Sequence, residues 1–224
     1  KSPRFNEFIN KIPNSDKLVM GAWDLNENSI FNTIYSIKTM ESYKKTHLVP
    51  FGEYIPFIKN LRGIIDFFDL PMSNVSHGTK NQRNIMINND IAIASPICFD
   101  IAFSNTVRKM NKSSFFMINI SNDTWFGDSI GPYQHLSIAR IRSIENNRWA
   151  IRATNDGISA IINNKGTIVD KLDKGESGIL ESKIKLIDSN TIYNKFGYLF
   201  TYIYSFIILF ATFSNYLWQR FISK

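Results

Sequence analysis

Cysteine is nearly absent from this sequence: Cys98 is the only one in 224 residues. A lone cysteine excludes an internal disulfide framework and any cysteine-rich metal centre, leaving either an inert buried thiol or a reactive one. Histidine is almost as scarce, and His47, His77 and His135 form no pair at short helical spacing, so no metal and no cofactor is expected. Acidic residues (19) are outnumbered by basic ones (26), giving a formal charge of +7 and a pI near 9.4. That balance suits a solvated basic surface or an anionic partner such as lipid headgroups. Nucleic acid is not an expected partner, because no stripe of Lys and Arg interleaves with stacking aromatics and no nucleic-acid module signature is present. An initiator methionine and a signal peptide are also missing, so the chain reads as a segment of something longer.

With 44% hydrophobic residues the chain can bury a sizeable core, which predicts one globular domain plus an appendage. Phe5, Phe8 and Ile9 fall at helical steps within Ser2 to Ile12, and Leu18 to Ala22 has the length of a buried strand. Apolar runs at Ile30 to Ile37, Ile91 to Ile97 and Phe115 to Ile120 are rich in β-branched and aromatic residues and end near polar turns, as central strands do. Leu136, Ile138, Ala139, Ile141 and Ile144 give the stretch from Gly131 to Trp149 a helical apolar face. Gly157 to Ile162 and Thr167 to Leu172, joined at Asn163 to Gly166, predict a β-hairpin. Helices alternating with buried strands predict an α/β sandwich.

From Phe196 to Leu217 no residue is charged. Roughly 20 helical residues cross a bilayer, so this segment predicts a membrane span. Tyr198, Tyr202 and Tyr204 on one side and Tyr216 and Trp218 on the other fit interfacial belts, with Arg220 and Lys224 as a basic flank. The positive-inside rule then puts the C-terminus in the cytoplasm and the domain outside it, although Lys185 and Lys195 lie on the opposite side of the span. The competing reading is a buried core helix, favoured by Thr201, Ser205, Thr212, Ser214 and Asn215. The division expected is residues 1–190 as the globular domain and 191–224 as the span with its short basic tail.

Three segments carry chemistry-bearing residues. In Tyr43 to Tyr54, Pro50 and Gly52 punctuate a loop that can fold the Glu53 carboxylate back towards the Lys45 ammonium. An exposed pair of that kind would be worth only about 0–1 kcal/mol. In Ser95 to Asp100, Cys98 follows an apolar run at the point where the chain must turn, which exposes sulfur to a cleft and to free backbone N–H groups. Ile120 to Gly127 sits at the end of a third strand, either as part of a site on a sheet edge or as an ordinary Asn/Asp turn.

Taken together, HLVPFGEY, the ICFD cysteine turn, SNDTWFG followed by GPYQH, and ATNDGIS occur in the order found in apolipoprotein N-acyltransferases of the nitrilase superfamily, which this chain resembles from about Asn32 through its C-terminal helix. The resemblance implies a nitrilase-like four-layer αββα sandwich, truncated at its N-terminus and followed by one transmembrane helix. It implies a Glu–Lys–Cys triad that moves an acyl chain from a phospholipid to the N-terminal amine of a diacylglyceryl-cysteine lipoprotein. Carried over by motif, Cys98 is the nucleophile, Lys45 the triad lysine and Glu53 the second glutamate beside it. Asn32, Phe99, Asp100 and Trp125 are the substrate-side residues. Phe99 and Asp100 stand where Tyr and Glu are more usual, which removes a phenol hydroxyl and one methylene. The triad glutamate, expected in a Pro-Glu context upstream of the opening helix, is not matched by Glu7 or Glu27. It is expected in an N-terminal portion outside these residues, with further membrane helices, so the fragment alone should be inactive. The same resemblance implies a monomer in the bacterial inner membrane with its catalytic domain on the periplasmic side.

The basic amphipathic stretch Ile55 to Met72 is expected either as a lid resting in headgroups or as a core helix. Two rival functions remain at this level. One is a membrane-anchored amidase or nitrilase acting on a small substrate. The other is a non-catalytic membrane-anchored binding module whose cysteine is vestigial.

Overall fold

In a computed structural model, residues 3–26, 29–54, 75–88 and 90–222 are described; the stretch expected as a lid lies outside them. The chain opens with helix α1 (Pro3–Asn10), then strands β1 (Val19–Asn26), β2 (Ser29–Ser36) and β3 (Ser42–Lys44). Next come β4 (Ile85–Met86), β5 (Ala92–Ala94), a 3-10 segment (Cys98–Ala102), α2 (Ser104–Met110), β6 (Phe116–Asn122), and a 3-10 turn (Thr124–Phe126). Helix α3 (Gly131–Asn146), strands β7 (Ala150–Asn155), β8 (Ser159–Ile162) and β9 (Ile168–Leu172), and helices α4 (Ile192–Phe196) and α5 (Leu199–Ile222) complete it.

Among the described residues the strands form two sheets, one in the order β1-β2-β3 and antiparallel, the other in the order β4-β5-β6-β7-β8-β9. In the larger sheet β5, β6 and β7 run parallel, because α2 and α3 provide the crossovers, and the flanking pairs are antiparallel. Strand alternation then sorts the side chains into layers. Ile34 and Tyr43 of the small sheet meet Ile93, Phe116 and Ile161 of the large sheet in one core. Met117, Ala150, Ala160 and Ile162, one residue out of step with these, face Val107 of α2 and Leu136 and Ala139 of α3. Tyr35 and Ile37, on the outer face of the small sheet, pack on Ile9 of α1. The result is α1, sheet, sheet, then α2 with α3: the four-layer αββα arrangement. Each buried Ile or Leu in these layers is worth about 1.5–3 kcal/mol over exposure. Gly21 of β1 leaves room for Ile120 of β6, since a Cβ there would lie 2.6 Å from Ile120 Cδ1.

Several boundaries differ from the periodicity. The run Ile91 to Ile97 pairs as a strand only over Ala92–Ala94, with a single parallel bridge from Ile97 to Ile120 holding its end before the turn. Helix α3 stops at Asn146 because Asn147 adopts a left-handed cap (φ 54°). The apolar C-terminal segment begins later than Phe196. That residue closes the separate helix α4, and Gly197 (φ 62°) breaks the chain before α5 starts at Leu199. Helix α4 packs with the globular part: Asn194 is fully buried and donates to Asn146 Oδ1 at 2.7 Å. Helix α5 is long and apolar enough to cross a membrane, and none of its apolar window is buried against the rest of the protein, unlike a core helix.

Candidate active site

The three parallel strands end on one rim, the usual position for sites in α/β proteins. A cavity of about 930 Å³ opens there, lined by Lys45, Glu53 and Asn32 from the small-sheet side and by Cys98, Phe99, Trp125 and His135 from the large-sheet side. Cys98 is partly exposed and occupies the left-handed region at φ 46°. For a residue with a Cβ this conformation costs about 1–2 kcal/mol. It makes the sharp exit from β5 that brings the thiol to the cavity rim instead of into the sheet.

Lys45 follows β3 directly, and its backbone N–H donates to Asn32 O at 2.8 Å, which continues the β2–β3 ladder by one residue. The side chain is 1% exposed, yet its Nζ donates to Glu53 Oε2 at 2.6 Å, and Glu53 is 8% exposed. The turn at Pro50 to Glu53 supplies this contact, because Glu53 N–H bonds to Val49 O while Val49 N–H donates to Glu53 Oε2 at 2.8 Å. Asn32 Nδ2 donates to Glu53 Oε1 at 3.3 Å, so Asn32 acts on the carboxylate as well as lining the cavity. The pair is buried, not the solvated pair a loop alone would suggest.

Phe99 lines the cavity and packs edge-on against Phe103 at 5.1 Å, while Trp125 stands 61% exposed on the rim. Asp100 is placed differently from the expected substrate-side role. It is 0% exposed and does not line the cavity. Its carboxylate accepts from the backbone N–H of His47 at 2.8 Å, the backbone N–H of Ile97 at 3.2 Å and the Tyr43 hydroxyl at 3.1 Å. It therefore ties the lysine loop to the cysteine turn. Burial pushes this carboxyl up to about 6, against the hydrogen bonds and the Lys45 charge. Burial and the Asp100 charge together raise the Tyr43 phenol above its usual range.

Beneath Cys98 lies a polar cluster with no role assigned from the sequence. Arg152 Nη2 donates to Asp123 Oδ2 at 2.6 Å, and Ser121 Oγ donates to Asp123 Oδ1 at 2.6 Å. His135 Nδ1 lies 3.0 Å from Asp123 Oδ1, and its Nε2 lies 3.2 Å from the Cys98 carbonyl oxygen. Arg152 Nη1 bonds Asn119 Oδ1, and Asn119 Nδ2 donates to Pro96 O at 2.9 Å. Burial alone would push the Asp123 carboxyl up, but the hydrogen bond from His135 and the Arg152 charge outweigh it and hold it below its usual range. Burial lowers Arg152, with Asp123 and Cys98 opposing. Asp123 and His135 lie inside the SNDTWFG and GPYQH motifs, which was the available signal. Arg152 carried none, since a cation in an apolar strand looks like an outward-facing residue.

A family model for carbon-nitrogen hydrolases matches residues 10–192. The curated relatives include an apolipoprotein N-acyltransferase of Vibrio parahaemolyticus, 42% identical over 164 residues that make up 73% of this chain and 32% of the relative. One from Photobacterium profundum is 36% identical over 204 residues, 86% of this chain and 39% of the relative. This chain thus spans about a third of the length of the curated relatives it matches. Among solved structures, the C. elegans NitFhit protein superposes with a TM-score of 0.53 at 17% identity, over 75% of this chain and 43% of that one. An amidase from Nesterenkonia sp. AN1 superposes with a TM-score of 0.52 at 15% identity, over 76% of this chain and 66% of that one. At such identities the likeness is one of fold, and it agrees with the layers described above. With the family model covering most of its length, the chain belongs to the carbon-nitrogen hydrolase family.

Proposed function

We propose that this chain carries the thiol and ammonium of an apolipoprotein N-acyltransferase, a site that moves an acyl chain from a phospholipid to the N-terminal amine of a diacylglyceryl-cysteine lipoprotein. The observation that carries the reading is the shared cavity: a thiol on a strained turn opposite a buried Lys45–Glu53 pair. The similarity to curated relatives of that name and the exposed apolar helix α5 support it. On this reading α5 anchors the domain in the bacterial inner membrane with the cavity on the periplasmic side.

The chemistry is two displacements on one nucleophile. The Cys98 thiolate attacks the ester carbonyl, and the oxyanion is held by the Lys45 ammonium and the backbone N–H of Phe99, donors of a kind worth about 2.7–4 kcal/mol each in the transition state. The C–O bond breaks, the lyso-lipid alkoxide leaves with a proton, and a thioester remains on Cys98. The lipoprotein amine then attacks the thioester, losing a proton as the amide forms and the thiolate departs. Glu53 is the only carboxylate among the described residues that lines the cavity, and it is engaged by Lys45, Val49 and Asn32. The proton acceptor of both halves is therefore assigned to a glutamate outside these residues, and Glu53 to holding Lys45. Phe99 and Trp125 supply apolar surface for the acyl chain.

The test uses membranes carrying the protein joined to the remaining length of its relatives. A phospholipid with a labelled acyl chain should leave label on Cys98, and adding a diacylglyceryl-cysteine peptide should move it to the peptide amine. Cys98→Ala should abolish both. Turnover of small amides with no label on Cys98 from phospholipid would replace this reading with an amidase.

A further inference from the structure

The turn that presents Cys98 is gripped from below at its carbonyls. Asn119 Nδ2 donates to the carbonyl of Pro96, two residues before the cysteine. His135 Nε2 lies 3.2 Å from the carbonyl of Cys98 itself and donates to it whenever that nitrogen carries a proton. Arg152 bonds Asn119 Oδ1 through Nη1, and its Nη2 lies 3.1 Å from His135 Nδ1. Asp123 closes the cluster by bonding Arg152 and His135 at once. Every member is buried, and Asn119, Asp123 and Arg152 are at most 1% exposed. Such a cluster has given up its hydration, so its stability rests on the hydrogen bonds among its members. A non-glycine residue in the left-handed region persists only where its surroundings over-determine it.

We infer that His135 is a positioning residue for Cys98: oriented by Asp123 and Arg152, it fixes the cysteine carbonyl and thereby holds the left-handed backbone that keeps the sulfur in the cavity. This rests on the proposed role of Cys98 as nucleophile, but its test requires no acyl donor or acceptor. A failure of acyl transfer and a failure of this inference are therefore separable.

Because Cys98 is the only cysteine, iodoacetamide reports on it alone. The full chain in detergent micelles is alkylated across a pH series, and the rate at the high-pH plateau measures presentation of the thiolate. In His135→Ala the plateau rate should fall about tenfold or more, as misplacing a reacting atom by about an ångström does. The pH of half-maximal rate should match that of the parent chain, and His135→Gln, which restores an N–H donor, should recover part of the loss. A folded His135→Ala that reacts within about twofold of the parent overturns the inference. So does a shifted half-maximal pH with an unchanged plateau, which would mark an electrostatic role instead. Should His135→Ala lack a cooperative melt, Asp123→Asn decides: a slowed plateau in the folded variant supports the inference, and an unchanged one overturns it.

Discussion

The Lys45 ammonium and the Glu53 carboxylate meet at 2.6 Å with almost no contact with solvent. Burying two charges is costly, and their attraction offsets this only while both are present. Glu53→Leu should therefore destabilise the protein by about 3–5 kcal/mol by leaving Lys45 charged and unpaired. Combining it with Lys45→Met should restore most of that stability while acyl transfer stays absent. Urea denaturation of the single and double variants checks the stability side.

Asp100 predicts a pH dependence of stability. Its folded carboxyl is raised to about 6, above the 3.8 of an unperturbed group, so between those values the native state binds more protons than the unfolded chain. Stability then falls as pH rises. The contribution is fully present below the unfolded value and lost as pH passes through the folded one, and it is on the order of 3 kcal/mol. Asp100→Asn should flatten the difference in unfolding free energy between pH 4 and pH 7.5 that the parent chain shows in chemical denaturation.

Gly157 leaves no room beside Asp123, since a Cβ there would lie 2.5 Å from Asp123 Oδ2. Gly157→Ala should cost about 1–3 kcal/mol through overpacking. By moving Asp123 it should also slow alkylation of Cys98. An unchanged rate with an unchanged melting temperature would show that the carboxylate yields without disturbing the turn.

Arg148 is fully buried and binds the strap that leads to α4 and α5. It donates to Ser189 O at 2.6 Å, Asn190 Oδ1 at 2.8 Å and Ser114 O at 2.7 Å. Arg148→Met should cost about 3 kcal/mol or more, because several charge-assisted bonds are lost together. Limited proteolysis should cut the strap near residues 185–195 faster than in the parent chain.

What could be read along the chain was whatever repeats with a short period or stands in contiguous motif order. The β2 and β6 strands, helix α3, the β8–β9 hairpin and the apolar helix α5 belong to this class, because burying one face imposes a period of two or of 3.6 on neighbouring residues. Helix α2 escaped notice because it buries only Val107 within its span, which leaves no period to detect. The C-terminal helix was legible in kind but not in start point, since an uncharged run does not register the backbone break at Gly197.

The amino-acid sequence by itself determined that the chain alternates helices and buried strands, ends in an apolar span, and offers one thiol and one Lys–Glu loop for chemistry. Only the tertiary structure decided that the Lys45–Glu53 pair is buried and lines the same cavity as that thiol, that Asp100 serves as a tie between two loops, and that Arg152, Asp123 and His135 converge beneath Cys98. The reason is physical. Burial and hydrogen-bond partnership across a sheet join residues tens of positions apart, and no local pattern encodes which polar side chain will lose its water and to whom it will then bond.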